Sequence, residues 1–121
     1  MIESKESILT VKNFGECRMM KGNFKKAMSF LTKSKKVAEK ELKPDHKWKV
    51  WIMIALATLH DEMGNLIPAR DVMHEGLWMG KRLNLQLHEL GKKDYIQEFI
   101  IRYGKIFPES EFPSKQQLLE L

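Results

Sequence analysis

A chain of 121 residues, 43% apolar and 31% charged, has the make-up of a globular domain or a fragment of one; this excludes an intrinsically disordered polymer. The formal net charge of +5 is unevenly placed. Ten lysines between Lys21 and Lys49 are opposed only by Glu39, Glu41 and Asp45, which gives that stretch +7 and leaves −2 for the remainder.

The N-terminus, Met-Ile-Glu-Ser-Lys-Glu-Ser, carries acids and no apolar stretch, so it is not a secretory signal. Ser4 to Met20 reads as a first helix. Ile8, Val11, Phe14, Gly15 and Arg18 recur at three- and four-residue spacing, and Ser4 or Ser7 is placed to cap the start. Cys17 is the only cysteine. It excludes an internal disulfide and favours a reducing, cytoplasmic compartment.

Gly22-Asn23 stops that helix, and Asn23 is a good N-cap for the next. From Phe24 to Leu42 an apolar stripe of Phe24, Ala27, Met28, Leu31, Ser34, Ala38 and Leu42 runs opposite a basic face of Lys25, Lys26, Lys33, Lys36 and Lys40. This is the pattern of an amphipathic surface helix. Pro44 ends it, and Asp45 is the expected cap of a third helix over His46 to Met63. Between Val50 and Leu59 only Thr58 is polar. That run is about half of the ~20 residues a bilayer span needs. A helix apolar on all sides is packed on more than one side, so the third helix is expected between neighbours.

Gly64-Asn65 opens a fourth helix, with Pro68 in its first turn, where a missing N–H is tolerated. Ala69, Val72, Met73, Gly76, Leu77, Gly80 and Leu83 form its stripe. Gly76 and Gly80 on that stripe imply close approach of another backbone, and Asn84 or Gly91 marks the end. Asp94 with Gln97 has the spacing of a capping box for a fifth helix bearing Tyr95, Ile96, Phe99, Ile100 and Tyr103. Pro108 and Pro113 break the chain after it, and Lys115 to Leu121 is expected to form one loose turn or to fray.

The chain therefore contains a duplication. Gly22-Asn-Phe-Lys-Lys-Ala27 recurs forty-two residues later as Gly64-Asn-Leu-Ile-Pro-Ala69. In that register Phe14-Gly15 matches Leu56-Ala57, Leu31 matches Met73 and Ser34 matches Gly76. This pattern of large and small residues around a glycine turn resembles the tetratricopeptide repeat. The period is longer than the usual ~34 residues, and in this the chain is similar to the repeats of kinesin light chains and related scaffolds. In place of the motif's first-helix aromatic stand Val11 and Met53, and its helix-ending proline is displaced to Pro44 in one copy and absent from the other.

The resemblance implies an all-α superhelix of two helical hairpins and a C-terminal capping helix. The domain would cover residues 4–107, with repeats over about 4–43 and 45–84, a cap over about 94–104 and a tail over 108–121. It also implies a non-catalytic protein-interaction module or scaffold. A peptide or helix of a partner would lie on the concave face of the first helix of each pair. Carried over by register, that face presents Leu9, Lys12, Asn13, Glu16, Met19 and Met20 from the first hairpin. From the second it presents Trp51, Ile54, Ala55, Thr58, Asp61 and Glu62. A terminal-carboxylate clamp is not expected, because only Asn13 among the candidate positions is of the right type. Related long-period scaffolds work in the cytoplasm, some with cytoskeletal or ciliary assemblies. Two repeats and a cap fall short of the roughly three that arrays need, so further repeats or a second copy are expected partners.

No enzyme, cofactor or metal is expected. His60-Asp61-Glu62 and His74-Glu75 lack a second histidine one turn on, a single cysteine builds no zinc finger, and the glycine turns are not phosphate loops. The alternative reading is a basic α-helical binder of RNA or of an acidic surface. It rests on the lysine face alone, which is poor in arginine and in exposed aromatics for stacking.

Overall fold

The computed structural model describes residues 5–90 and 93–103, the side chains of Leu87, Lys93, Asp94, Tyr95 and Tyr103 excepted. Five α-helices follow in chain order: α1 (Ser7–Met20), α2 (Phe24–Glu41), α3 (Lys47–Glu62), α4 (Leu66–Arg82) and α5 (Lys93–Tyr103). A single 3-10 turn, Leu87–Leu90, lies between α4 and α5. α1 pairs with α2 and α3 with α4 as hairpins, and α2 packs on α3. The expected all-helical repeat architecture is observed. α5 begins at Lys93, one residue before the expected cap; the Asp94 side chain that the capping box needs and the tail beyond Tyr103 lie outside the described residues.

The two hairpin turns are close to superimposable in their chemistry. Gly22 and Gly64 adopt φ of 79° and 78°, a left-handed conformation that glycine enters without a Cβ clash. The Gly22 amide donates to the Met19 carbonyl and the Asn23 amide to that of Arg18; Gly64 and Asn65 donate likewise to Asp61 and His60. These are the bonds of a Schellman closure, which satisfies the last carbonyls of each helix. One difference is instructive. The Asn23 side chain accepts from the Lys26 amide, whereas Asn65 makes no cap bond. The residue in register with Lys26 is Pro68, which has no amide hydrogen to give.

The core falls into two clusters that share α3. Ile52, Ala55, Leu56 and Leu59 of α3 pack with Ile8, Met19, Ala27, Leu31 and Ala38 of the first hairpin. Val50, Met53, Ile54 and Ala57, on other sides of the same helix, pack with Ala69, Met73, Leu77, Leu90, Ile96 and Phe99. The all-apolar helix is thus the common wall of both hairpins, as its composition predicts.

Small residues set how closely the helices of a hairpin approach. A Cβ built on Gly15 would lie 2.8 Å from Leu31 Cγ and 3.3 Å from the Ala27 carbonyl, so α1 and α2 meet over a bare glycine. In the second hairpin a Cβ on Gly76 would meet Met53 Cβ at 3.0 Å and lie 3.8 Å from the Val50 carbonyl. Ser34, in register with Gly76, uses its hydroxyl in the equivalent place. Its Oγ donates to the Ile8 carbonyl at 2.8 Å, and Ile8 is in register with Val50. Of the two glycines expected to admit a backbone, Gly76 does so. Gly80 instead receives the Leu90 side chain of the 3-10 turn.

Helix ends differ from expectation at two places, and a third choice left open is decided. α1 begins at Ser7 with Glu6 at the N-cap position and no side-chain cap bond, rather than on a serine cap. α3 is capped by His46, whose Nδ1 accepts from the Trp48 amide at 3.0 Å, and not by Asp45. Asp45 is drawn away by Arg82 at the end of α4, which holds it through two bonds of 2.9 and 3.0 Å. This pair holds the Asp45 carboxyl below its ordinary range, the hydrogen bond being the main cause. α4 ends at Arg82, and Asn84 takes the left-handed conformation (φ 58°), which settles the choice between Asn84 and Gly91.

Candidate interaction groove

The first helices of the two hairpins, α1 and α3, touch each other, and the 3-10 turn closes over the gap between them. The result is a cleft of about 380 Å³ lined by Lys12 and Glu16 of α1, Trp51 and Ile54 of α3, and His88, Glu89 and Leu90 of the turn. Its volume lies near the lower end of the ~300–1,000 Å³ range of ligand pockets. Trp51 organises the cleft. Its indole N–H donates to the Glu89 carbonyl at 2.8 Å. The Lys47 and Lys12 ammonium groups lie 5.2 and 5.9 Å from its ring centroid, within cation–π range. Lys12 also forms a salt bridge of 2.5 Å with Glu16 one turn on. Leu90 is buried against Gly80 and anchors the turn from below. Glu89 accepts from the Gln86 amide at 2.8 Å and holds the turn's own start.

Four of the twelve residues expected on the shared helix face, Lys12, Glu16, Trp51 and Ile54, come together in this cleft. Met20 is 86% exposed, and Asn13 and Glu62 are exposed too, while Leu9 is half-buried. The other positions need correction. Met19, Ala55 and Thr58 are buried, and Ile54 shows only 2% of its surface at the cleft floor. Met19 and Ala55 belong to the core between α3 and the first hairpin. Thr58 turns its hydroxyl inward, donating to the Ile54 carbonyl. A register carried over from a motif assigns a helix face but not its edge. On α3, with neighbours on both sides, the edge is core. Asp61 is engaged within the chain: it accepts from Arg102 of α5 at 2.9 Å.

The 3-10 turn was not legible in the sequence. Leu87-His88-Glu89-Leu90 carries no helical period of its own, and its place depends on Gly80 and on Trp51, which is thirty-eight residues from Glu89. The signal available was Gly80 itself, a glycine on a buried stripe that needed something to fill its space.

Among the other aromatic and titratable groups, Trp48 is partly buried beside His46, with ring centroids 5.3 Å apart. Trp78 donates its indole N–H to His74 Nε2, with Lys81 4.8 Å from its ring centroid. Both Trp48 and Trp78 serve packing and local contacts. Burial lowers the pKa of His60, whose Nδ1 is buried with no hydrogen-bond partner among the described residues. No group of three or more histidine, cysteine or acidic side chains able to hold a metal ion occurs among the described residues. No helix among them is long and apolar enough to cross a membrane.

A tetratricopeptide repeat family model matches residues 7–77, more than half of the chain. The chain belongs to the tetratricopeptide repeat family. The matched span covers both hairpin turns and reaches Leu77, one residue beyond Gly76, so it takes in every pair of the duplicated register. Tetratricopeptide repeats generally mediate protein–protein interactions and are typically scaffolds without catalytic function. No curated protein and no solved structure gave a significant match to this repeat chain.

Proposed function

We propose that this tetratricopeptide repeat chain is a non-catalytic interaction module or scaffold. It takes a peptide or helix of a partner protein on the concave face of α1 and α3, as part of a larger repeat protein or assembly. The observation that supports this reading is the Trp51 cleft. A large aromatic lies half-open between two helices, with apolar Ile54 and Leu90 below and charged groups at the rim. An aromatic anchor ringed by polar groups is the usual layout of an interface hot spot. The Met20 side chain, bare on α1, adds an adaptable apolar contact.

The test is selection of displayed random peptides on the intact chain, followed by affinity measurement of the winners. Trp51→Ala is expected to weaken them about 10-fold or more, the size of a hot-spot loss. Since Trp51 also holds the 3-10 turn, a second variant, Lys12→Ala with Glu16→Ala, changes the rim without touching the core. Winners that bind both variants as well as the parent chain, with helicity unchanged, would dismiss the cleft.

A further inference from the structure

The outer side of α2 carries a second feature that the cleft does not use. Lys33, Lys36 and Lys40 lie opposite the buried stripe of Leu31, Ser34 and Ala38. With Met28, Thr32 and Val37 they line a depression of about 550 Å³. None of the three lysines makes an ion pair among the described residues. The carboxylates of α2 lie off this face. Glu39 is paired with Lys35, and both line a small pocket shared with Ile52 and Met53 of α3.

The spacing sharpens the point. Lys33, Lys36 and Lys40 are three and four residues apart, so they are direct neighbours over about 10 Å of helix. Like charges at that spacing work against the helix that carries them. The chain therefore keeps a repulsive stripe on a face where no carboxylate among the described residues forms an ion pair with Lys33, Lys36 or Lys40. A complementary partner would relieve it.

We propose that this face docks an acidic amphipathic segment of a partner protein. Carboxylates at three- and four-residue spacing would pair with the lysines, and an apolar side chain would rest on Met28 and Val37. Nucleic acid fits the face less well. α2 contains no arginine, and its aromatics are not offered for stacking: Phe24 and Phe30 are half-buried, and Phe30 packs on Phe14 with ring centroids 6.0 Å apart. Ser29 and Thr32 add hydroxyls to the lining, while Met28 and Val37 give an apolar side chain a place to rest that a phosphate backbone does not use. This face lies on the second helix of its hairpin and is separate from the Trp51 cleft, so its test is independent of the function proposed above.

The experiment uses the full chain and a labelled synthetic helical peptide with Glu at three- and four-residue spacing along one edge and Leu beside them. Controls are the same peptide with Gln for Glu, and a single-stranded uridine oligonucleotide. The Glu peptide is expected to bind at least 10-fold more tightly than the Gln peptide. Lys33→Glu/Lys36→Glu/Lys40→Glu is expected to abolish that preference. Reversing the exposed Lys5, Lys21 and Lys43 is expected to leave most of it. The single variant Lys36→Glu should also raise the melting temperature of the free chain. Equal binding of the two peptides overturns the proposal. So does equal loss in both triple variants, which would mark a diffuse charge effect, and so does tighter binding of the oligonucleotide than of the Glu peptide.

Discussion

The two hairpins share a turn and differ in what surrounds their first helix. α1 has one clothed side and one bare side: Ile8, Val11, Gly15 and Met19 are buried, while Phe14 and Met20 are exposed. α3 is buried from Lys49 to Leu59 with only Trp51 partly open. The same repeat unit therefore yields a helix covered on one side and a helix covered nearly all round, and the neighbours present decide which. The difference teaches that the turn chemistry is a property of the unit, whereas exposure is a property of its neighbours.

The largest effect is expected where the hairpins depend on each other. Leu59→Ala on the shared wall should cost about 2–5 kcal/mol, the range for truncating a buried leucine. Leu31→Ala and Met73→Ala, one in each hairpin, should both lower a single cooperative transition in thermal unfolding. Two separate transitions would break the picture of a common core.

A smaller effect probes the helix contacts inside each unit. Gly15 faces Leu31, and the pair in register is Ala57 with Met73. A branched leucine 2.8 Å from the added Cβ needs glycine opposite, whereas an unbranched methionine can yield to a methyl group. Gly15→Ala should destabilise by about 1–3 kcal/mol through overpacking. Adding Leu31→Met should recover part of that loss, measured by denaturant unfolding. No recovery would mean that the register equivalence of the two pairs has no energetic content.

The turns offer the finest comparison. Asn23→Ala removes a cap bond and should cost about 0.5–1 kcal/mol. Asn65→Ala removes none, since Pro68 gives no donor, and should change stability by less than about 0.5 kcal/mol. Equal losses at the two positions would show that both asparagines act through backbone preference alone.

The start of α3 adds a pH dependence. Burial, with Lys5, Lys49 and Lys43 adding to it, lowers the pKa of His46, and the neutral Nδ1 accepts the cap bond. A histidine with a depressed folded-state pKa contributes full stability above its unfolded value of about 6.5. That contribution is lost as pH falls from there through the folded value. His60 acts in the same direction. His46→Asn retains a capping side chain that does not titrate, and should flatten the decline in melting temperature between pH 7 and pH 5. An unchanged slope would assign it to His60 or to the carboxylates.

Much of this was legible beforehand because local chemistry carried it. Gly22 and Gly64 are placed by a backbone conformation that other residues enter at a cost, so they mark the turns from sequence. The Val50–Leu59 run announces an interior helix because apolar residues on every side need cover on every side. The cap of α3 was misplaced for an equally physical reason. Asp45 is a good local cap, but Arg82, thirty-seven residues on, offers a charged partner that no local rule includes.

The sequence by itself determined the helices, the turns and the repeat, since each rests on periodicity, a left-handed glycine or a cap within a few residues. Tertiary structure alone decided the groove. It buried Met19, Ala55 and Thr58, and it bound Asp61 to α5. It also laid the 3-10 turn against Trp51 through a bond spanning thirty-eight residues. The reason is that the edge of a helix face becomes surface or core according to its neighbour, and the neighbour's arrival is a long-range event.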